Sequence, residues 1–480
     1  MKSYDVKIWA IRKNTTSKRP SYQVRWLVNG RECNEVFRTK NLAESYRAEL
    51  IKATRNGEGF DTETGLPDSM APKTKPVTWY EFAARYVDMK WKDAAAKSRD
   101  GMTDALATVL PALTEEIPGR PSDRVLRQAL RHWYFPPAMR EPDDERQIPA
   151  DVVKALAWLA KASLPVVAIA DPVHGRAALD AIARKLDGTR AGTEVIRRKR
   201  AVLANVIGYA IECRELTENP LGKIGWKMPK TVQRLDRRRV ANPRQVAELL
   251  TAVSYVGGYQ RARGRRLVAF FACLYYATMR PAEVVNLKAD GCNLPDTGWG
   301  SLTIEKTRPL AGKRWTDSGE SHDNRGLKQR AEGETRVIPI PPVLVAHLRA
   351  HLDTFGTAKD GRVFGNERGG LVGSSTYDRV WHEARAFALT ETQRASLLAQ
   401  RPYDLRHAGI SFGLRATRDP ALIAERAGHS VEVLMTRYSW VLDDQDESAN
   451  KVMDNAYRAY GADSIEETAI NANEATDNKE

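Results

Sequence analysis

The order of apolar and polar positions divides the chain into a short β-rich beginning and a long helical remainder. In residues 4–40 the apolar positions alternate as in strands, in the runs VKIWAI, YQVRWLV and NEVFRT. The dipeptide Asn29-Gly30 lies between the last two runs and is typical of a hairpin turn. Residues 42–57 then have helical spacing and end on a glycine. This pattern predicts a three-stranded sheet followed by one helix.

Helical periodicity predominates from Thr78 to about Asn219. Thr78 is a predicted helix N-cap, and Glu81 follows it at the spacing of a capping box. Residues 192–216 have the longest amphipathic pattern of this region and predict one continuous helix. The first turns of this helix carry four consecutive basic side chains, Arg197, Arg198, Lys199 and Arg200.

Two segments without a clear period predict linkers. The first, residues 61–77, is rich in Gly, Pro, Asp and Thr. The second, residues 220–242, combines prolines with many basic residues. A basic linker of this kind is able to run along a polyanion, and a plain tether explains it equally well.

From Pro243 the helical pattern returns, interrupted by two β-rich runs, WGSLTIEKTRP and TRVIPIPP, with polar residues 309–333 between them. Residues 447–460 predict a last helix with one apolar face, and the acidic tail 461–480 predicts disorder. The fold class expected is therefore mainly α with small β elements, in several domains. The predicted domains are a sheet plus helix at 1–60, a helical domain at 78–219 and an α+β domain at 243–460.

Length and charge agree with this division. A chain of 480 residues exceeds one ordinary domain. Its net charge of +14, from 75 Lys and Arg against 61 Asp and Glu, favours a polyanionic partner. Residues 1–50 alone hold 11 Lys and Arg against 5 Asp and Glu. A basic sheet there is able to lie in a DNA groove, whereas a small solvated domain with incidental charge is the alternative.

Cysteine usage and hydropathy exclude other classes. The four cysteines are scattered and form no CxxC pair, so neither a zinc site nor a disulfide framework is predicted. The longest apolar run, residues 267–279, is too short to span a bilayer. The first residues, MKSYDVKIWAIRKN, lack the apolar core of a signal peptide. We therefore expect an intracellular protein with reduced thiols, no metal, no cofactor and no membrane partner.

The last third of the chain carries five residues whose chemistry fits the cleavage of a phosphodiester. They are Arg280, Lys328, Arg406, His429 and Tyr438. Two arginines can hold two oxygens of one phosphate through charge-assisted hydrogen bonds, and a histidine can add a third donor. A tyrosine hydroxyl can attack phosphorus, and a lysine can protonate the leaving oxygen. Any one of these residues alone is more simply explained by packing, capping or solvation.

The surrounding motifs resemble the tyrosine recombinases, the phage integrase family. Arg280 lies in ATMRPAEVVNL, Arg406 in YDLRHAGISF, and His429 stands nine residues before Tyr438 in GHSVEVLMTRY. The match covers residues 243–460 in order, type and spacing. The resemblance implies a catalytic domain of tyrosine-recombinase type, preceded by a helical core-binding domain and an N-terminal arm-binding β-domain.

The resemblance also implies the roles of the five residues. Tyr438 would attack the scissile phosphate and expel a 5′-hydroxyl, leaving a covalent 3′-phosphotyrosine that needs no ATP or other cofactor. Arg280 and Arg406 would neutralise the non-bridging oxygens, His429 would bind the same phosphate, and Lys328 would protonate the leaving oxygen. Glu283, one turn after Arg280, either orients a guanidinium group or is a solvated helix acid.

Two positions depart from the family pattern. The family's lysine lies on a hairpin that is expanded here, at about 306–336, and Lys306 is the second choice after Lys328. Most relatives carry a histidine three residues before the second arginine, where this chain has Tyr403. A phenol does not share a proton at neutral pH as imidazole does, which leaves the general base for Tyr438 in question. Asp404 and His407 are expected to point elsewhere on their helix.

The partner implied by the resemblance is double-stranded DNA carrying attachment sites. Recombination joins two duplexes, so a homotetramer on DNA is implied, with a monomer in free solution and possible accessory excision or DNA-bending proteins. The helix at 447–460 would dock on a neighbouring protomer or pack on its own domain. The run 197–200 would contact the DNA backbone or form a solvated face. A phage or other mobile element in a bacterial cytoplasm, associated with the nucleoid, is the expected setting.

Three rival functions remain. A type IB topoisomerase uses a similar set of residues, although the separate basic N-terminal domain favours an integrase. A recombinase-derived regulator that binds DNA without cutting it would explain Tyr403. A metal enzyme built on His407 and His429 lacks the HExxH motif or carboxylate cluster such sites need.

Overall fold

The computed structural model describes residues 2–14, 20–70, 76–141, 146–230, 234–328, 331, 333–442 and 446–459. The fold is mainly α with small β-sheets, as the sequence predicts. The helices are α1 (Lys40–Arg55), α2 (Trp79–Trp91), α3 (Ala96–Val109), α4 (Asp123–Ala129), α5 (Pro137–Arg140), α6 (Ala150–Ala162), α7 (Pro172–Ala183), α8 (Thr193–Glu212), α9 (Pro243–Val253), α10 (Ala262–Tyr276), α11 (Pro281–Val285), α12 (Pro342–Phe355), α13 (Ser374–Ala388), α14 (Glu391–Ala395), α15 (Tyr403–Thr417), α16 (Pro420–Ala427), α17 (Val431–Tyr438) and α18 (Asp446–Ala459).

The strands form small antiparallel sheets in the first and last thirds of the chain. They are β1 (Lys2–Ser3), β2 (Val6–Ile8), β3 (Arg12–Asn14), β4 (Ser21–Val28), β5 (Arg31–Phe37), β6 (Phe60–Asp61), β7 (Cys292–Asn293), β8 (Gly300–Ile304), β9 (Lys306–Thr307), β10 (Arg325–Gly326) and β11 (Arg336–Ile340).

The N-terminal sheet has the three rows that the sequence predicts. Strand β4 is central, with β5 on one side and the short strands β2 and β3 in line on the other. The register shifts by one residue between β2 and β3, from Val6 opposite Val28 to Arg12 opposite Gln23, so this edge contains a bulge. Both Asn29 and its following glycine have positive φ, as the predicted hairpin turn requires.

The core of this unit is formed by one face of β4 and the buried side of α1. Val24, Trp26 and Val28 alternate inward and pack with residues of the helix. Part of the segment predicted to be a linker belongs to this core as well. Asp61 of that segment pairs with Lys2 of β1 next to the completely buried Phe60, and Leu66 and Met70 pack against the core. Composition predicts a loop there, but burial of this aromatic ring holds residues 58–70 against the sheet.

Helices α2 to α8 form a second, all-helical unit. Thr78 caps α2 in the predicted capping box, and the side chain of Glu81 accepts a hydrogen bond from the Thr78 backbone amide. The predicted long helix is α8, which packs along α3. The core contains Trp79, Phe82 and Phe135, all with no exposed surface.

The third unit, from α9 to α17, surrounds the small sheet β7-β8-β11 and the central helix α10. The expanded hairpin between β9 and β10 reaches back to the helical unit. Trp315 of this hairpin packs against Trp91, with ring centroids 6.2 Å apart. The buried Arg99 of α3 donates to the Trp315 carbonyl at 2.9 Å and forms a salt bridge with Asp317 at 2.6 Å. These contacts join the all-helical unit, α2 to α8, to the third unit.

The predicted basic linker, 220–242, is docked at both ends. At its beginning Trp226 donates from its indole nitrogen to Asp180 at 3.1 Å. At its end the Leu235 amide donates to the Arg437 carbonyl at 3.2 Å, and the Arg237 guanidinium lies 5.0 Å from the centre of the Trp440 ring. The second half of this segment therefore crosses the end of α17.

Helix α18 does not bury its apolar side chains. Residues 450–459 are exposed, and Val452, Met453 and Tyr457 each have more than half of their surface free. The alternative that this helix packs on its own domain is therefore wrong for these residues. The tail 461–480, for which disorder is predicted, lies outside the described residues. None of the described helices has the length and apolar content needed to cross a membrane.

Candidate functional site

Arg280 is positioned by the turn between α10 and α11. It is the N-cap residue of α11, and its backbone amide donates to the Glu283 carboxylate at 2.8 Å. Its side chain donates to the same carboxylate at 2.8 Å and to the Gly428 carbonyl at 2.6 Å. Thr278, two residues before Arg280, has a φ of 47°, which is a strained conformation for a β-branched residue. This strain accompanies a tight turn that aims Arg280 at the end of α16.

Glu283 is buried between two arginines and is not a solvated acid. Its carboxylate accepts from Arg280 and from Arg336 of β11, the latter at 2.8 Å. Glu283 and Arg336 are 2% and 3% exposed. Burial opposes the charged form of Glu283, but Arg336 and then Arg280 outweigh it and lower the pKa to about 2. Glu283 therefore stays ionised and fixes both guanidinium groups.

Arg406 lies on α15 and is completely buried. The close approach of α15 to α10 requires Gly409, since a Cβ there would lie 2.0 Å from the Tyr275 carbonyl oxygen. The Arg406 side chain donates to the Thr278 carbonyl and, at 2.7 Å, to the Ala427 carbonyl. Since Arg280 donates to the next carbonyl, that of Gly428, both guanidinium groups meet at the C-terminal end of α16.

His429 completes this arrangement. Its Nε2 accepts from Arg406 at 2.8 Å, because burial, followed by Arg406 and Arg280, lowers its pKa to about 3 and keeps the ring neutral. Its Nδ1 has no hydrogen-bond partner in the described part of the chain and is free to donate. Gly428 has φ of 64°, and a Cβ there would lie 2.0 Å from the Arg336 guanidinium. Only glycine allows the chain to pass this close to the arginines.

Tyr438 ends α17 and has no exposed surface. Its hydroxyl lies 2.6 Å from Nδ1 of His407. The expectation that His407 points elsewhere is therefore wrong. The two side chains are 31 positions apart in sequence, so no local pattern indicates this contact. It arises where the end of α17 and the following turn, Ser439–Val441, meet α15.

Tyr403, the position at which the sequence resemblance predicts a histidine, lies in the first turn of α15 and is partly exposed. Its ring meets the ring of His407 edge to face, with centroids 5.1 Å apart. The two residues are four apart on one helix and share a face. Tyr403 thus borders the site at its surface, whereas His407 lies one turn deeper.

Of the two candidate lysines, Lys306 begins strand β9 and Lys328 follows strand β10, and the geometry favours Lys306. Its strand β9 runs beside α11, as the Asn286 side chain donates to the Lys306 carbonyl at 3.1 Å. Lys306 and Glu283 also line one cavity of about 380 Å³. Lys328 lies in an exposed turn two residues beyond β10, and no described contact links it to the arginines.

The basic run of α8 is divided by its position on the helix. Arg197 and Arg198 are exposed, and Arg200 is partly exposed. Lys199 is buried instead, with a salt bridge to Asp104 at 2.9 Å and a hydrogen bond to Thr108 at 2.7 Å. The inclusion of Lys199 among the expected DNA contacts is therefore wrong, because its ammonium group is committed within the helical unit.

Sequence reasoning missed Arg336 and His407. Arg336 precedes an apolar strand and has no spacing that links it to Arg280. For His407 the sequence does contain an indication. It lies four residues after Tyr403 and therefore shares a helix face with it. Within the described ranges, no three His, Cys, Asp or Glu side chains are grouped as metal ligands.

No family model matches this chain, and no curated protein matches it. Its structure is similar to that of the XerH site-specific recombinase bound to a palindromic difH substrate, with 12% identity and a TM-score of 0.45, over 78% of this chain and 96% of the other. It is similar to the Tn1549 transposon integrase in complex with transposon right end DNA, with 13% identity and a TM-score of 0.47, over 75% and 94%. It is also similar to a lambda integrase dimer bound to a COC′ core site, with 13% identity and a TM-score of 0.46, over 91% and 95%.

Proposed function

We propose that this protein is a site-specific DNA recombinase of the tyrosine type, which cuts and rejoins double-stranded DNA through a covalent 3′-phosphotyrosine. One observation carries the proposal. Arg280, Arg406 and His429 converge on the C-terminal end of α16, and Tyr438 ends the next helix with its hydroxyl 2.6 Å from His407, the residue that follows Arg406. These are the groups that the attack of a phenol on a phosphodiester needs.

In the proposed reaction the arginines supply most of the stabilisation. The transition state carries additional negative charge on the non-bridging oxygens, and preorganised guanidinium groups neutralise it. Glu283 fixes Arg280, and backbone carbonyls fix Arg406, so little reorganisation is needed. His429 offers its free Nδ1–H as a further donor. The bond from Tyr438 to phosphorus retains the energy of the broken phosphodiester for rejoining.

Protonation of the leaving 5′-oxygen is assigned to Lys306 rather than Lys328. Both lysines are exposed, but β9 lies directly along the helix that begins at Arg280. The Arg308 amide, two residues after Lys306, donates to the Ala282 carbonyl at 3.0 Å. Lys306 is thus held near the phosphate site by backbone contacts.

In addition to the arginine site of the third unit, DNA binding is assigned to the N-terminal sheet and to helix α8. The open face of the N-terminal sheet carries Lys7, Arg12 and Arg25, opposite the face that packs on α1. Such a basic sheet face fits a DNA groove and suits a separate arm site. On α8 the exposed Arg197 and Arg198 suit contacts with the backbone of the core site.

Assembly on DNA is assigned to α18 and to an apolar groove of the third unit. The groove has a volume of about 410 Å³, and its wall includes the exposed rings of Trp299 and Phe412. The apolar face of α18 is its proposed occupant, supplied by a second copy of the chain. A head-to-tail contact of this kind closes into a ring, which agrees with a tetramer on two duplexes and a free monomer.

The expected setting is the integration or excision of a phage or other mobile element in a bacterial cell, with possible accessory excision or DNA-bending proteins. A non-catalytic regulator is disfavoured because the arginines, His429 and Tyr438 remain together. A type IB topoisomerase would relax supercoiled plasmid that contains no attachment site, whereas a recombinase would not.

The proposal is tested by covalent trapping. The full chain is first used to select its binding sequence from a pool of random duplexes. A duplex with that sequence, nicked next to the cleavage position, should then give a covalent complex with the wild type and none with Tyr438→Phe. The complex should be resistant to denaturant and sensitive to protease. Absence of a wild-type complex on selected DNA would show that the chain binds DNA without cutting it.

A further inference from the structure

His407 contacts the hydroxyl group proposed to attack DNA. Its Nδ1 lies 2.6 Å from the Tyr438 oxygen, and the two rings have centroids 5.9 Å apart. Both side chains are buried, with 4% and 0% of their surface exposed. The contact joins α15, directly after Arg406, to the end of α17. Two segments that are far apart in sequence are therefore coupled at the reacting atom.

The charge states limit this hydrogen bond to its neutral forms. Burial, followed by Arg406, lowers the pKa of His407 to about 3, and burial raises the pKa of Tyr438. Both groups are therefore neutral near pH 7. The direction of the bond is set by the imidazole tautomer. In the tautomer with the proton on Nε2, the phenol donates and the lone pair of Nδ1 accepts.

The charged groups around His407 come from several elements. Arg406 is its neighbour on α15, Arg437 lies on α17, and Arg401 and Arg239 come from the segments preceding α15 and α9. The nearest acid, the buried Asp404, is paired with Arg239 at 3.7 Å and with Arg401 at 3.5 Å. The surroundings are thus strongly positive, which keeps the imidazole unprotonated before the attack and opposes the imidazolium that forms during it.

We propose that His407 accepts the phenolic proton of Tyr438 as Tyr438 attacks the scissile phosphate, a step that depends on the recombinase function proposed above. The bond from the Tyr438 oxygen to phosphorus forms, and the bond from phosphorus to the 5′-oxygen breaks. The proton of the phenol moves to Nδ1, and the 5′-oxygen leaves with a proton from Lys306. In rejoining, each transfer runs in reverse.

The positive surroundings do not prevent this transfer. The phenol becomes more acidic as its oxygen bonds to phosphorus, so the proton moves in the course of the attack. A phosphate diester next to Arg406 also offsets part of the charge that disfavours imidazolium. This location explains how Tyr438 can be deprotonated although position 403 is a tyrosine. The imidazole of His407, one helical turn further along the same face, takes the place of a histidine at position 403 as the proton acceptor.

The test compares His407→Asn with the wild type on the nicked substrate. Asparagine retains an oxygen that accepts a hydrogen bond but cannot take up a proton. We expect the cleavage rate to fall about 100-fold, with DNA affinity unchanged when measured in the Tyr438→Phe background. Thermal unfolding of both chains checks the fold, and His407→Gln replaces the first variant if that variant is unfolded.

A substrate with sulfur in place of the bridging 5′-oxygen separates the two proton transfers. A thiolate leaves without protonation, so this substrate should restore cleavage by Lys306→Ala but not by His407→Asn. A fluorinated tyrosine at position 438, whose phenol is more acidic, should restore part of the rate of His407→Asn. Both results together assign the acceptor role to His407.

Two outcomes would overturn the proposal. Cleavage by His407→Asn within about threefold of the wild type would show that the imidazole only packs against the nucleophile. Recovery of His407→Asn by the sulfur substrate would place the defect at the leaving group. The proposed function fails separately, and takes this step with it, if the wild type forms no covalent complex on selected DNA.

Discussion

At the scale of single residues, the site depends on a carboxylate enclosed by positive charge. Glu283 binds Arg280 and Arg336, and both contacts are shielded from water. A buried ion pair of this kind adds little to stability by itself, yet removing one partner leaves the other charge uncompensated. The same contacts hold Arg280 toward the end of α16, so both the stability of the fold and the proposed activity depend on Glu283.

Glu283→Gln should therefore lower the free energy of unfolding and abolish cleavage. We expect a loss of about 3–5 kcal/mol in urea unfolding, because Arg336 would remain buried without its counter-charge. The covalent complex should fall with it, since Arg280 would lose its orientation. Glu248→Gln is the matched control, as its partner Arg244 is exposed and such pairs contribute at most about 1 kcal/mol. Equal effects of the two changes would contradict the structural role assigned to Glu283.

Acidic pH should destabilise the third unit, because His407 is held unprotonated in the folded chain. The folded chain holds this imidazole neutral down to a pKa of about 3, whereas the unfolded chain binds a proton near pH 6.5. The unfolded state therefore binds more protons between these values, and stability falls as the pH falls. We expect His407 to contribute at most about 1.4 kcal/mol per pH unit to the slope below pH 6 in urea unfolding, in addition to the contribution of His429, whose pKa is also lowered to about 3. The slope should be smaller in His407→Asn, and an unchanged slope would count against the burial of a neutral ring.

The sequence singles out Arg280, Arg406 and His429, which the structure brings together at the end of α16, because each lies in a motif whose order and spacing are specific. It was not sufficient for His407 or Arg336. Their partners come from elements distant in sequence, and nothing in the local pattern specifies the packing of α17 on α15. Lys199 shows the reverse error, since its position in a basic run does not reveal that Lys199 is buried in a salt bridge with Asp104.

At the scale of elements, periodicity predicted what depends on local chemistry. The Asn29-Gly30 turn, the capping box at Thr78 and the long α8 follow from a few adjacent residues. Segments without a period were less well predicted, because loops can pack as closely as helices. Residues 58–70 bury Phe60 in the first unit, and the hairpin around Trp315 packs on α3. Composition alone does not distinguish such docked segments from free linkers.

The apolar face of α18 leads to a prediction about assembly. Burial of one large apolar side chain at an interface contributes about 1.5–3 kcal/mol, so Val452→Asp should weaken protomer contacts at least tenfold. Gel-shift titration on a duplex with one and with two binding sites should show loss of the higher complexes and unchanged binding of the first protomer. Deletion of residues 446–480 should act in the same direction.

Arg458→Gln is the matched control for Val452→Asp. Arg458 lies on the side of α18 opposite the apolar face, is exposed like Val452, and its replacement should leave the higher complexes intact. If both changes had the same effect, or if Val452→Asp weakened the first binding event as much as the later ones, α18 would not be the assembly element.

At the scale of the whole molecule, the positive charge is distributed over three units with different tasks. The third unit holds the arginine site, the helical unit presents Arg197 and Arg198, and the first unit presents a basic sheet face. The helical unit is tied to the third by Arg99 and the Trp315 hairpin. The proposed function therefore assigns binding to the core site and cleavage to residues 76–442, and the sheet unit is expected to add a second, separate DNA contact.

The N-terminal unit should consequently be dispensable for strand cleavage but not for binding at an arm site. In the combined variant Lys7→Ser, Arg12→Ser and Arg25→Ser, trapping on the nicked core substrate should remain within about twofold of the wild type, because none of these side chains approaches Tyr438. Binding to a duplex with core and arm sites should weaken, and the slope of log affinity against log salt should fall by about 3 through the loss of three phosphate contacts. Lys52→Ser with Arg55→Ser, on the opposite side of the unit in α1, is the control and should change the slope less. If the control reduced the slope as much as the sheet variant, net charge rather than the sheet face would account for the binding, and the arm-site role would have to be abandoned.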